Sequence, residues 1–138
     1  MNVGQRCCRE PRTARPGDQV RIVAERMQRF GVGTIVVVDA DLRPLGIVTD
    51  RDLALRIIAA DRLPSSTRVE DVMTGGLQTV AETESLETAF AAMRRNHVQR
   101  LPVVDDDGHL VGIVSRHDLE PEIPGAEVIE RAAGDPEC

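Results

Sequence analysis

Aromatic side chains are almost missing: the 138 residues include no Trp, no Tyr and only two Phe, Phe30 and Phe90. A core must therefore be built from Val, Ile, Leu, Ala and Met, and there is no aromatic platform on which exposed bases could stack. Net positive charge is missing too. The formal charge is −6 at pH 7, which argues against a nucleic-acid backbone as the main partner. It leaves room for a small anionic ligand, because a local group of Arg side chains can outweigh the global sign.

No apolar run is long enough to span a bilayer, and the N-terminus lacks the charged-then-apolar pattern of a signal peptide. No membrane association and a cytoplasmic location are the resulting expectations. Cysteine is sparse. Cys7, Cys8 and Cys138 form an odd set with two adjacent members, which does not read as a disulfide framework and lacks zinc-ligand spacing. Arg6 and Arg9 flank the adjacent pair, so a reactive thiol there is a third, weaker functional idea. A nucleophile elbow, a Walker loop and a Gly-x-Gly-x-x-Gly turn are all absent, and no enzyme activity is expected. His97, His109 and His117 have no Cys or Glu at ligand spacing, so no metal site is assigned. Asp105-Asp106-Asp107-Gly108 reads as a hairpin turn, since the closing Glu of a calcium loop is lacking.

What is present is a duplication. Gly46-Ile47-Val48-Thr49-Asp50-Arg51-Asp52-Leu53 returns as Gly112-Ile113-Val114-Ser115-Arg116-His117-Asp118-Leu119, 66 residues later. Residues 13–53 and 79–119 align without a gap and share 13 identities in 41, against roughly two or three by chance. The first dozen residues read as a loose arm. Thr13-Ala14 is a short strand, Val20 to Phe30 has helical spacing, and Thr34 to Val38 is a β-branched buried strand. Leu45 to Val48 pairs antiparallel with it after a tight turn, and a helix follows from Asp50 to about Ala60. Val69 to Met73 forms a helical turn capped by Thr67. The order then repeats: Leu86 to Met93, Leu101 to Val104, Leu110 to Val114. Pro121 and Pro124 cut the last helix short, and Ala126 to Ala133 form a helical tail.

The expected fold is α/β (α+β-like), two β-α-β-β-α repeats packed sheet-on-sheet with pseudo-two-fold symmetry. A single 45-residue unit cannot cover both faces of its sheet. The expected organisation is 1–62 as first repeat with its arm, 63–71 as linker, 72–120 as second repeat and 121–138 as tail.

Each repeat carries a hydroxyl at a helix start and a carboxylate three residues on. Helix-start N–H groups and the dipole favour a phosphate, and the carboxylate can accept from a ribose diol. The same Thr/Ser-x-x-Asp spacing is also a capping box, in which the two side chains satisfy the helix end themselves. Asp52 and Asp118 should sit in separate clefts, which argues against a cooperating acid–base pair.

These paired corners, with Val72-Met73-Thr74 and the run Asn96-His97-Val98-Gln99-Arg100-Leu101-Pro102-Val103-Val104-Asp105, resemble tandem CBS domains, the cystathionine β-synthase-type regulatory module. The resemblance covers roughly residues 5–120. It implies no catalytic cofactor, an adenine-nucleotide ligand (AMP, ADP, ATP or S-adenosylmethionine), a homodimer and an unidentified regulated protein. Carried over, Thr49 with Asp52 and Ser115 with Asp118 would hold phosphate and ribose. Thr13, Ala14, Thr79 and Val80 would lie near the adenine, and Arg100 would contact phosphate. Arg51 and His117 sit inside the corners. Thr34 stands where the second repeat has Arg100, and Cys7-Cys8 stand where it has Met73-Thr74. A module with empty clefts that serves only dimerisation or partner binding is the alternative.

Overall fold

The computed structural model describes residues 1–119; the expected tail over 126–133 lies outside them. It is a mixed α/β structure with two three-stranded sheets, ordered β1-β2-β3 and β4-β5-β6. The elements are α1 (Val3–Arg6), β1 (Thr13–Ala14), α2 (Val20–Phe30), β2 (Thr34–Val38), β3 (Pro44–Thr49) and α3 (Asp50–Leu53). They continue with β4 (Val80–Ala81), α4 (Leu86–Asn96), β5 (Arg100–Val104), β6 (Leu110–Ser115) and α5 (Arg116–Leu119). In each sheet the short first strand runs parallel to the second and the second antiparallel to the third. The register is the same in both: Thr34 faces Thr49, and Arg100 faces Ser115.

The local causes are those the residue pattern suggests. Val20, Val23 and Met27 form the buried stripe of α2, as Leu86, Ala89 and Met93 do in α4, at the spacing that keeps side chains on one helical face. The helices end with a left-handed residue, Gly31 in one and His97 in the other, which closes the final turn. Every residue of β2 is buried, as its unbroken β-branched run requires. After α3 the chain widens into a π-helical stretch, Ala54–Ile58, where the sequence reading expected a continuous α-helix. Ile57 is buried there while Leu55 and Ile58 are exposed.

Two structural units emerge, and they do not follow chain order. Among the described residues, one comprises Arg12–Leu77; the other joins Met1–Pro11 to residues 78–119. The first has its core in Val20, Val23, Met27, Ile35, Val48 and Ile57, closed by Val69 and Val72. The second is built on Leu86, Ala89, Met93, Leu101, Val103 and Val114, closed by Val3 and Cys7. Residues 1–11, read from sequence as a loose arm of the first repeat, are thus an ordered part of the second. Val3 N donates to Glu84 O and Gly4 N to Glu82 O, each at 2.9 Å. Cys8 then pairs with Ile113 through two bonds of 2.9 and 3.0 Å.

Residues 69–74 do the same for the first unit. Val69 N donates to Asp18 O at 2.9 Å and Glu70 N to Pro16 O at 3.2 Å. Thr74 pairs with Ile47 at 2.9 and 3.0 Å. Thr67 does not cap the 3-10 turn Val69–Asp71, whose start carries no side-chain cap; its hydroxyl donates to Leu63 O at 2.8 Å. We refer to the two segments as straps.

The glycines of the repeated corner explain how the straps fit. A Cβ on Gly46 would strike the Met73 thioether and lie 3.0 Å from Thr74 O. On Gly112 it would lie 2.5 Å from both Cys7 Sγ and Cys8 O. Glycine is required here for close backbone approach.

Candidate functional site

In the first unit Thr49 closes β3 and opens α3. Its Oγ1 accepts from Asp52 N at 3.1 Å, and Asp52 Oδ2 accepts from Thr49 N at 2.9 Å. In the second, Ser115 Oγ accepts from Asp118 N at 3.3 Å and Asp118 Oδ2 accepts from Ser115 N at 2.9 Å. Both corners are therefore reciprocal capping boxes. They differ in the hydroxyl proton: Ser115 Oγ donates to Asp118 Oδ2 at 2.9 Å, whereas Thr49 Oγ1 only accepts.

The expectation that backbone N–H groups at the helix start await a phosphate is corrected at the first corner. Asp50 N donates to Gly33 O and Arg51 N to Asp50 Oδ1, both at 2.9 Å, and Asp52 N to Thr49 Oγ1. The strand before the hairpin supplies one acceptor and the side chains supply the others. At the second corner Arg116 N donates to Gln99 O at 2.8 Å in the same manner.

Of the sequence-predicted residues, the first unit gathers Thr13, Ala14, Thr34, Thr49, Arg51 and Asp52; the second gathers Thr79, Val80, Arg100, Ser115, His117 and Asp118. Thr34 is buried and faces Thr49; Arg100 is exposed and faces Ser115. Ala14 and Val80 are buried in the parallel edge strands, while Thr13 is half-buried and Thr79 exposed. Two neighbours escaped the sequence reading. Arg56 Nη2 lies 3.9 Å from Asp52 Oδ1, and its Nη1 donates to Val72 O at 2.7 Å and Thr74 Oγ1 at 3.3 Å. Their i,i+4 spacing was the available signal. Asp50 carries its carboxylate against Gly33, where an added Cβ would lie 3.0 Å from Asp50 Oδ2.

The turn cluster gives a cautionary comparison. Asp105, Asp107 and His109 bring ligand atoms within 4.8 Å of one another. Yet Asp105 Oδ1 already accepts from Asp107 N and His109 N at 2.9 Å, as Asp39 Oδ1 does from Asp41 N and Arg43 N in the first unit. Hairpin geometry accounts for both. Burial raises the Cys7 thiol pKa against the opposing pull of Arg9, the reverse of what a reactive thiol needs.

The doubled corner, with the same register and strap in each unit, is matched by known proteins. The CBS domain family profile fits residues 3–59 and again 69–124. The chain belongs to the CBS domain family, as a tandem pair. A CBS domain-containing protein of Bacillus subtilis, YhcV, is 38% identical over 107 residues, covering 78% of this chain and 74% of that protein. An uncharacterized Methanopyrus kandleri protein, MK0525, is 32% identical over 119 residues, 86% of this chain. The chain spans 61% of that relative's length, and only 20% of inosine-5'-monophosphate dehydrogenase from Mycobacterium tuberculosis, at 34% identity.

Among solved structures, the CBS domain protein PAE2072 from Pyrobaculum aerophilum, complexed with AMP, superposes with TM-score 0.77 at 27% identity, covering 86% of this chain and 89% of that one. The CBS domain pair of MJ0100, in complex with 5'-methylthioadenosine and S-adenosyl-L-methionine, gives TM-score 0.77 at 25% identity, with coverages of 88% and 94%. Among the described residues no helix of this CBS pair is long and apolar enough to cross a membrane.

Proposed function

We propose that this CBS pair is a regulatory, non-catalytic module that binds adenosine ligands at its two hydroxyl–acid corners, functions as a cytoplasmic homodimer and reports ligand occupancy to a partner protein. The observation that carries this reading is the duplication of the corner itself. Thr49 and Ser115 close β3 and β6 at one register in both units, and Asp52 and Asp118 follow each at the same spacing. A carboxylate is an acceptor for a ribose diol. The AMP complex of PAE2072 and the S-adenosyl-L-methionine complex of MJ0100 support the ligand class. Regulation requires that the ligand bind one of two states more tightly.

A second reading has its own support. The acids turn onto their own backbone as capping boxes, which is all a purely structural or partner-binding module requires. Calorimetric titration with AMP, ATP and S-adenosylmethionine separates the two. Asp52→Ala and Asp118→Ala should each abolish one site while lowering stability by about 1 kcal/mol, the worth of a cap. Loss of stability in both variants, with no binding by the native protein, decides for the structural module.

A further inference from the structure

We infer that the two corners select ligands of different charge: the Ser115 corner takes a phosphorylated adenosine, and the Thr49 corner an adenosine without phosphate, either a neutral thioether nucleoside or a sulfonium. This rests on the adenosine-binding reading and assigns a ligand class to each of its sites. Because backbone N–H groups at the first corner are already bonded, side-chain charge decides what each corner tolerates.

The position facing the hydroxyl differs most. Arg100 is exposed and directly opposite Ser115 across the β5–β6 ladder, while the equivalent opposite Thr49 is the buried, uncharged Thr34. Opposed residues in an antiparallel pair lie about 5 Å apart at Cα, so Arg100 reaches a phosphate placed at Ser115. An Arg fork is suited to that anion.

The next position reinforces the contrast. Asp50 begins α3 and lays its carboxylate over Gly33, beside Thr34, whereas Arg116 begins α5. A phosphate at Thr49 would meet the Asp50 carboxylate where its counterpart at Ser115 meets a guanidinium on the facing strand. Arg51 is the remaining cation inside the first corner. Arg56 is committed to Val72 O and Thr74 Oγ1 while flanking Asp52. A sulfonium or a neutral thioether removes the repulsion and keeps the ribose contact to the acid.

The test is calorimetric titration of the full chain with AMP, S-adenosylmethionine and 5'-methylthioadenosine, repeated on Asp52→Ala and Asp118→Ala. AMP binding should survive Asp52→Ala and vanish in Asp118→Ala; the other two ligands should show the reverse. Arg100→Thr, at an exposed site, should weaken AMP at least tenfold and leave S-adenosylmethionine within threefold. Asp50→Asn combined with Thr34→Arg should strengthen AMP at the Thr49 corner at least tenfold; Asp50→Asn alone, nearly isosteric, should shift it the same way. AMP lost in Asp52→Ala, or bound by both corners within threefold, overturns the assignment while leaving adenosine binding intact. Absence of binding by all three ligands overturns the parent reading together with this one.

Discussion

Replacing Gly112 with Ala tests how the second unit is closed. The new methyl would stand 2.5 Å from Cys8 O and Cys7 Sγ, far inside van der Waals contact. Rotating Cys7 can relieve the sulfur, but Cys8 O is backbone and accepts from Ile113 N at 3.0 Å. The strap must move, and both Cys8–Ile113 bonds lengthen or break; two such bonds are worth about 2 kcal/mol. Displacing Val3 and Cys7 from the core they close adds to the loss, and the general range for overpacking is about 1–3 kcal/mol. Alanine is better than glycine in a strand by about 0.5–1 kcal/mol, which offsets part of this. The expected net loss is about 2 kcal/mol, a fall in Tm on the order of 5–10 °C.

Gly46→Ala should cost less, because its worst contact is the Met73 thioether, the end of a flexible side chain, and Thr74 O is 3.0 Å away. Urea unfolding gives the stability of each variant, and amide hydrogen exchange at Cys8 and Ile113 reads the strap directly. A Gly112→Ala protein with native stability and unchanged protection at those two amides would refute the close-approach argument.

Three further outcomes follow from the same structure. The Asp39 carboxylate is held below its usual pKa chiefly by the Arg43 backbone N–H, and Asp105 chiefly by that of His109. A depressed folded pKa gives stability that is complete above the ordinary carboxylate range and lost as pH falls through the folded value. Asp39→Ala and Asp105→Ala should therefore flatten the acid limb of the stability–pH curve, as thermal unfolding between pH 2 and pH 6 would reveal. Cys7, buried and with its thiol pKa raised by that burial, should resist alkylation at neutral pH in the native protein and react once urea unfolds it; fast native labelling would contradict the burial. At equivalent turn positions Leu42 and Gly108 both have positive φ, 62° and 83°. Gly108→Leu should cost about 1–2 kcal/mol, and Leu42→Gly should be neutral or stabilising in the same unfolding assay.

Much of the local structure could be read from residue pattern. The all-β-branched run 34–38 has no stable alternative to a buried strand, and the helical stripes of Val20–Met27 and Leu86–Met93 fix both helices. Asp39 and Asp105 announced the hairpins through their ability to accept two backbone N–H groups. The corners were also legible, though as two readings at once. The hydroxyl and acid that would grip a ribose are the ones that cap a helix, and the folded chain shows the capping bonds. The π-helical stretch after Leu53 left no trace in the spacing.

By itself, then, the sequence determined the repeat, its main strands, its two long helices and the placement of its hydroxyl–acid corners, because these depend on contacts within a few residues or on side-chain alternation. Tertiary structure alone decided which strap closes which unit. Val3 and Val69 are the same residue at the same point of the repeat, and the strap hydrogen bonds run through backbone N–H and C=O groups, which carry no sequence identity. The folded chain joins residues 1–11 to the second repeat and 69–74 to the first.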